Sequence, residues 1–197
     1  NFRQATMLNA DNMRLHEELA FSQVEAGSYA DAASTLRMLL ALPEYKSRSD
    51  LKRSLAQAEA ENGRYQSARN IYIELTRQDP TQANDWLRLG EVCWNLDDYG
   101  GALIAANRAI SLVPQRSEGY LLAGMIWQKR GRVQDALEMF ERAAELAPQD
   151  ATPLILRGLS LQKTDRLAAA AEAYEEALRR NPNDTRAERL LSQVAQP

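Results

Sequence analysis

Residues 83–150 read ANDWLRLGEVCWNLDDYGGALIAANRAISLVPQR followed by SEGYLLAGMIWQKRGRVQDALEMFERAAELAPQD. The two stretches are 34 residues each and lie over one another, with Gly90 on Gly124, Ala102 on Ala136 and Pro114 on Pro148. The same step continues outward. Pro80 and Pro182 extend the prolines, Ala68 and Ala170 the alanines, and Gly158 the glycines. Three residue types sharing one period mark a tandem repeat. A unit this short cannot bury its own apolar face and must stack on copies of itself, so the period predicts a solenoid rather than a globule.

Residues 83–116 carry Trp86-x2-Leu89-Gly90-x2-Cys93, then Asp97, Tyr99, Ala102, Ala106, Ala109 and Pro114. Residues 117–150 carry Tyr120, Ala123-Gly124 and Trp127, then Gly131, Val133, Ala136, Phe140, Ala143 and Pro148. Residues 151–184 carry Leu154, Gly158 and Leu161, then Asp165, Leu167, Ala170, Tyr174, Ala177 and Pro182. A fourth copy precedes these at 49–82, with Leu55-Ala56, Gly63, Tyr65, Ala68, Tyr72 and Pro80. A more divergent one spans 13–46, with Leu19-Ala20, Gly27, Tyr29, Ala32, Leu36 and Leu39, and two extra residues near Ser47 and Arg48 separate it from the next.

In these residues the chain resembles the tetratricopeptide repeat family, whose signature is aromatic-x2-Leu-Gly-x2-Tyr, then Ala-x3-Phe, then Pro at a period of 34. The resemblance implies an all-α fold: a right-handed α-solenoid of about five helix-turn-helix repeats plus a C-terminal capping helix. The expected division is 1–12 as an N-terminal tail or the remnant of a preceding helix, five repeats over 13–184, and 185–197 as capping helix and tail.

The residues give independent physical reasons. Each copy splits into two amphipathic segments of about a dozen residues with apolar positions at helical spacing. Gly27, Gly63, Asp97, Gly131 and Asp165 fall between the segments, where a left-handed residue ends a helix. Ser28 and Asp98 suit the start of the second helix. Ala20, Ala56, Gly90, Gly124 and Gly158 let helix axes approach, as do the repeating alanines on the second helix; larger residues would overpack the contact. Each repeating proline follows the second helix and stops it. From Thr185 to Val194 a further first-helix pattern carries Leu190 and Leu191 on one side and Arg186, Glu188, Arg189 and Gln193 on the other, which suits a solvating end to the array.

Composition narrows the functional classes. The chain is 45% hydrophobic and 26% charged, which argues against a disordered chain. A net charge of -3 gives no electrostatic reason for nucleic acid or an anionic membrane. No apolar run approaches the roughly 20 residues of a membrane span, and no basic-then-apolar leader pattern is read in this sequence. Residue 1 is Asn rather than Met, which reads as a chain cut from something longer and leaves the compartment open between cytoplasm and periplasm. Arginine outnumbers lysine 20 to 4, a bias of GC-rich bacterial sources.

Candidate chemistry is sparse. Cys93, the single cysteine, lies on an apolar helix face and reads as a small buried hydrophobe. His16, the single histidine, stands where other copies carry Trp86 or Tyr120 and reads as an interface residue. No metal-ligand spacing, phosphate loop or nucleophile beside a base is present. No catalytic residue, metal or cofactor is therefore expected. Arg179-Arg180 ends a second helix, where its dipole favours cations, and with Arg186 and Arg189 reads as structural.

The resemblance implies that first helices line a concave face where partners lie. First-helix positions free of the packing signature are Arg53, Gln57 and Glu61 in one copy, then Leu87, Glu91, Trp94 and Asn95, then Leu121, Met125 and Gln128, then Ile155, Leu159 and Gln162. From Leu87 onward these become apolar, and an exposed apolar strip marks an interaction site. The expected groove of Leu87, Glu91, Trp94, Leu121, Met125, Gln128, Ile155, Leu159 and Gln162 would take an apolar or amphipathic peptide. The competing expectation is that these side chains pack between neighbouring first helices.

Co-chaperone members of the family hold a C-terminal carboxylate with a Lys-Asn, Asn, Lys-Arg set. Here the matching places hold Arg53 and Gln57, Arg88, then Glu118 and Leu122, and the frame one copy later fares no better, so no such clamp is expected. The leading expectation is a non-enzymatic scaffold for a protein or peptide ligand, without nucleic-acid or direct membrane contact. The alternatives are an accessory region of a larger enzyme or of a bacterial envelope export or assembly machine, and a self-assembling array that makes homo-oligomers.

Overall fold

The computed structural model describes residues 2–194, with side chains from residue 12 onward. Residue 1 and residues 195–197, which belong to the two expected tails, lie outside the described residues. The described residues form helices joined by short turns, without strands, in two units. The first unit, Asn1–Asp97, holds α1 (Phe2–Glu25), α2 (Tyr29–Leu40), α3 (Ser49–Glu61), α4 (Tyr65–Gln78) and α5 (Ala83–Asn95). The second, Asp98–Pro197, holds α6 (Tyr99–Leu112), α7 (Ser117–Lys129), α8 (Val133–Leu146), α9 (Thr152–Gln162), α10 (Leu167–Arg180) and α11 (Thr185–Val194). Within each unit every helix packs on the next one in the chain. The segment before Met13 is continuous with α1.

Local chemistry explains the boundaries. The five turn residues Gly27, Gly63, Asp97, Gly131 and Asp165 all have positive φ, between 57° and 76°. At Gly27 and Gly63 the reversal brings the next amide back onto the helix just ended: the Ser28 and Arg64 amides donate to the Gln23 and Glu59 carbonyls, each at 2.8 Å, closing otherwise unpaired ends. Asp98 caps α6, its Oδ1 accepting from the Gly101 amide at 2.9 Å. Ser28 stands at the equivalent place before α2 but makes no capping bond. Its short hydroxyl is exposed, where water competes for it.

The repeating prolines stand two residues past the ends of α4, α6, α8 and α10. Two of them have a second use. Trp86 Nε1 donates to the Pro80 carbonyl at 3.0 Å, and the Tyr120 hydroxyl donates to the Pro114 carbonyl at 3.2 Å. The aromatic residue near the start of a first helix therefore pins the turn that enters it.

Packing follows the small-residue ladder. Ala32, Ala68, Ala102, Ala136 and Ala170 are completely buried. In the second unit a large ring from the second helix packs directly against a glycine of the first. A Cβ at Gly124 would stand 2.6 Å from the Phe140 ring, and one at Gly158 would stand 2.3 Å from Tyr174. Both rings are fully buried. Cys93 is buried as a small apolar residue. The amphipathic α11 buries Ala187, Leu190 and Val194 while Arg186, Glu188, Arg189 and Gln193 stay exposed. Its start is held by Asp184 Oδ1, which accepts from the Arg186 and Ala187 amides at 3.0 and 2.9 Å.

Candidate partner-binding faces

In the first unit, α3, α4 and α5 enclose a cleft of about 130 Å³. Gln57 and Glu61 enter it from α3, Tyr65 and Tyr72 from α4, and Arg88, Glu91 and Asn95 from α5. These come together because residues four apart on a helix share a stripe, as Gln57 with Glu61 and Glu91 with Asn95. Arg88 Nη1 donates to Glu91 Oε2 at 2.8 Å, and Asn95 Nδ2 donates to the Glu91 carbonyl at 2.8 Å. Burial pushes the Tyr72 hydroxyl up to about 12; Arg88 opposes this, while the Asp85, Glu91 and Glu61 carboxylates add to it. The hydrogen bond from Arg88 to Glu91 holds the guanidinium above its ordinary value.

Other first-helix positions of this unit are engaged in tying helices together. Arg53 grips the buried Asp85 across α3 and α5, with Nε 2.8 Å from Oδ1 and Nη2 3.0 Å from Oδ2. That ties Arg53 to a fixed partner while its side chain stays partly exposed. Glu59 is completely buried at the register where other copies carry Cys93, Trp127 and Leu161, and it is paired with Arg37 of α2. Its Oε2 has no hydrogen-bond partner, and Arg64 stands 3.9 Å away. Neither tie was read from the sequence. The available signal was a carboxylate at an apolar register, at Glu59 and again at Asp85 where the preceding copy has Leu51.

The expected groove residues are placed unequally. Leu87 is only 7% exposed and Ile155 3%, so both pack inside their units and neither presents a free surface. The reason is register: first helices of neighbouring copies pack side by side, as α7 does on α9. Ile155 joins the cluster of Leu154, Leu161 and Tyr174, and Leu159 packs against its edge. Gln128 Nε2 donates to Ser160 Oγ at 2.7 Å, binding α7 to α9, and the Tyr174 hydroxyl donates to Gln162 Oε1 at 3.0 Å, binding α9 to α10. Leu121, Met125, Leu159, Glu91 and Trp94 are half-buried. The nine expected residues therefore divide between the two units, and five of them, Leu87, Gln128, Ile155, Leu159 and Gln162, are engaged in packing or in hydrogen bonds between helices.

Within the basic run at the end of α10, Arg180 reaches the preceding copy as well as Glu176 of its own helix. Arg180 Nη1 donates to the Ala144 carbonyl at 2.9 Å and reaches those of Ala147 and Asp150 at 3.4 Å each, satisfying the C-terminal end of α8. Among the described residues no group of three or more His, Cys, Asp or Glu side chains is placed to hold a metal ion. No described helix is long and apolar enough to cross a membrane.

The family model described as Tetratricopeptide repeat matches residues 53–117, 105–151, 121–185 and 155–195. No curated protein matches the sequence. Solved structures are similar in fold. MamA (residues 41 to the end) from Desulfovibrio magneticus RS-1 is 18% identical over 89% of this chain and 98% of that one, with a TM-score of 0.79. YrrB, described as a TPR protein with an unusual peptide-binding site, is 19% identical over 96% of each chain, with a TM-score of 0.73. PilF of Pseudomonas aeruginosa is 19% identical over 94% of this chain and 84% of that one, with a TM-score of 0.76. At these identities the likeness concerns the fold. Together with the 34-residue ladder and the left-handed turns, the family match means that the chain belongs to the tetratricopeptide repeat family, with an all-α solenoid fold.

Proposed function

We propose that this chain is a non-enzymatic scaffold that binds a protein or peptide segment on the first-helix faces of its repeats. The observation that carries the reading is the set of first-helix side chains left partly open: Leu121, Met125 and Leu159 in the second unit, and the polar cleft of α3 and α5 in the first. Apolar side chains four apart, as Leu121 and Met125 are, suit a segment laid across a helix face. A similar fold in YrrB is described with a peptide-binding site, which supports the class of ligand. The test is selection of a displayed peptide library on the purified chain, followed by affinity measurements with Leu121→Asp and Met125→Asp. Loss of at least tenfold with unchanged helicity and unfolding temperature supports the reading. Undiminished affinity in the folded variants removes it.

A second reading, self-association through α1, rests on one comparison. Leu15 and Leu19 hold the same register as Leu51 and Leu55, which are 0% and 7% exposed beneath the neighbouring α2, yet they are 61% and 46% exposed. A second copy covering this face would make the mass concentration-dependent in light scattering, and Leu15→Glu with Leu19→Glu would abolish that dependence. A constant monomer mass across concentrations rejects it.

A further inference from the structure

We infer that the cleft between α3, α4 and α5 receives one basic side chain, an arginine or lysine, of the bound partner. This rests on the reading of first-helix faces as the binding surface and specifies the chemistry of one place on it. At about 130 Å³ the cleft has room for a single side chain and not for a helix. Its charges are two carboxylates against one guanidinium. Arg88 is hydrogen-bonded to Glu91 at 2.8 Å and also feels Glu61 at the rim, so the three groups together leave a single negative charge.

An entering cation therefore meets net negative charge, whereas an entering carboxylate would sit beside both Glu61 and Glu91. The remaining walls agree. Tyr65 and Tyr72 offer phenol rings, which attract cations. The one amide hydrogen bond of Asn95, to the Glu91 carbonyl, engages its nitrogen and leaves its oxygen to accept from a donor. The cleft is thus rich in acceptors and bounded by ring surface, which matches an ammonium or guanidinium.

The test uses N-acetyl-arginine methylamide, its lysine counterpart and the glutamate counterpart as probes. Binding to the full chain is followed by NMR shifts of the Gln57 and Asn95 side-chain amides. The expected result is saturable millimolar binding of the arginine or lysine probe and none of the glutamate probe. Glu61→Gln, at an exposed position, should weaken the basic probe at least threefold, and Arg88→Gln should strengthen it. Preference for the glutamate probe, no saturation by any probe, or an unchanged affinity in Glu61→Gln would each overturn the assignment. If library peptides still bind while the basic probes do not, this inference falls and the scaffold reading stands; loss of both removes both.

Discussion

The two units build the same helical ladder with different ties. In the first, cations and carboxylates join separate helices: Arg37 with Glu59, Arg48 with Glu17 at 3.1 Å, Lys52 with Glu74 at 2.7 Å and Arg53 with Asp85 at 2.8 Å. In the second, rings lie on glycines, at Gly124 with Phe140 and Gly158 with Tyr174, and neutral bonds such as Gln128 to Ser160 join helices. There the ion pairs Arg142–Glu145 and Arg180–Glu176 stay within one helix, and Arg132–Asp135 joins the cap of α8 to its own first turn. One backbone period therefore accepts two kinds of junction, because the repeat needs only that facing positions complement each other in volume or in charge. The kinds fail differently. A charged junction is damaged most by losing one partner, a ring-on-glycine junction by gaining one carbon.

The largest expected effect is at the charged junction. Arg37→Ala leaves the fully buried Glu59 without its hydrogen-bonded ion-pair partner and should lower the stability of the chain by about 3 kcal/mol. Converting the pair to the apolar kind, with Arg37→Met and Glu59→Leu together, should restore wild-type stability or exceed it. Denaturant unfolding of both variants reads the outcome, and equal stability of Arg37→Ala and wild type would show that the pair contributes nothing. Next comes the ring-on-glycine junction. Gly158→Ala forces a carbon into Tyr174 and should cost about 2 kcal/mol, and Gly124→Ala against Phe140 about the same. A calorimetric unfolding temperature unchanged in both would remove the distinction between the units.

A third effect is absent at neutral pH. Tyr72 in the first unit and Tyr174 in the second are both pushed up to about 12 by burial, from 10.0 in the free side chain. The unfolded chain loses these protons first as pH rises. The stability from the neutral hydroxyls is thus whole below pH 10 and lost by about pH 12. Tyr174→Phe should flatten the alkaline fall in unfolding temperature, and a fall of the same steepness would reject the account. The smallest effect is at a turn. Asp165 sits at φ 58°, where Gly131 does the same work for its own copy. Asp165→Gly should change stability by less than about 1 kcal/mol, since relief of the left-handed strain is offset by the freer unfolded chain.

Much of the fold was legible before any coordinate. The helices, the left-handed turns at Gly27 and Asp165 and the stops at the repeating prolines all follow from local rules written into single residues. The site was less so. Helical spacing puts Leu121 and Ile155 on corresponding faces, but α9 turns Ile155 into its own core while Leu121 stays half-open. Gln128 and Gln162 look like groove residues by position and prove to be hydrogen-bonded struts. Periodicity names the face of a helix that a residue occupies. It does not say which neighbour reaches that face.

The sequence alone determined the period, the helix ends and the small-residue contacts, because each depends on backbone conformation or side-chain volume at one position. Tertiary structure decided how charge is used. Glu59 is a surface residue by type and a core residue by register, and the approach of Arg37, with Arg64 farther off, makes its burial tolerable. Likewise Arg53 is free by helical position and bound by Asp85 from another copy. Such pairings depend on distances between residues more than twenty apart in the chain, and electrostatic energy depends on that distance and on burial rather than on residue type.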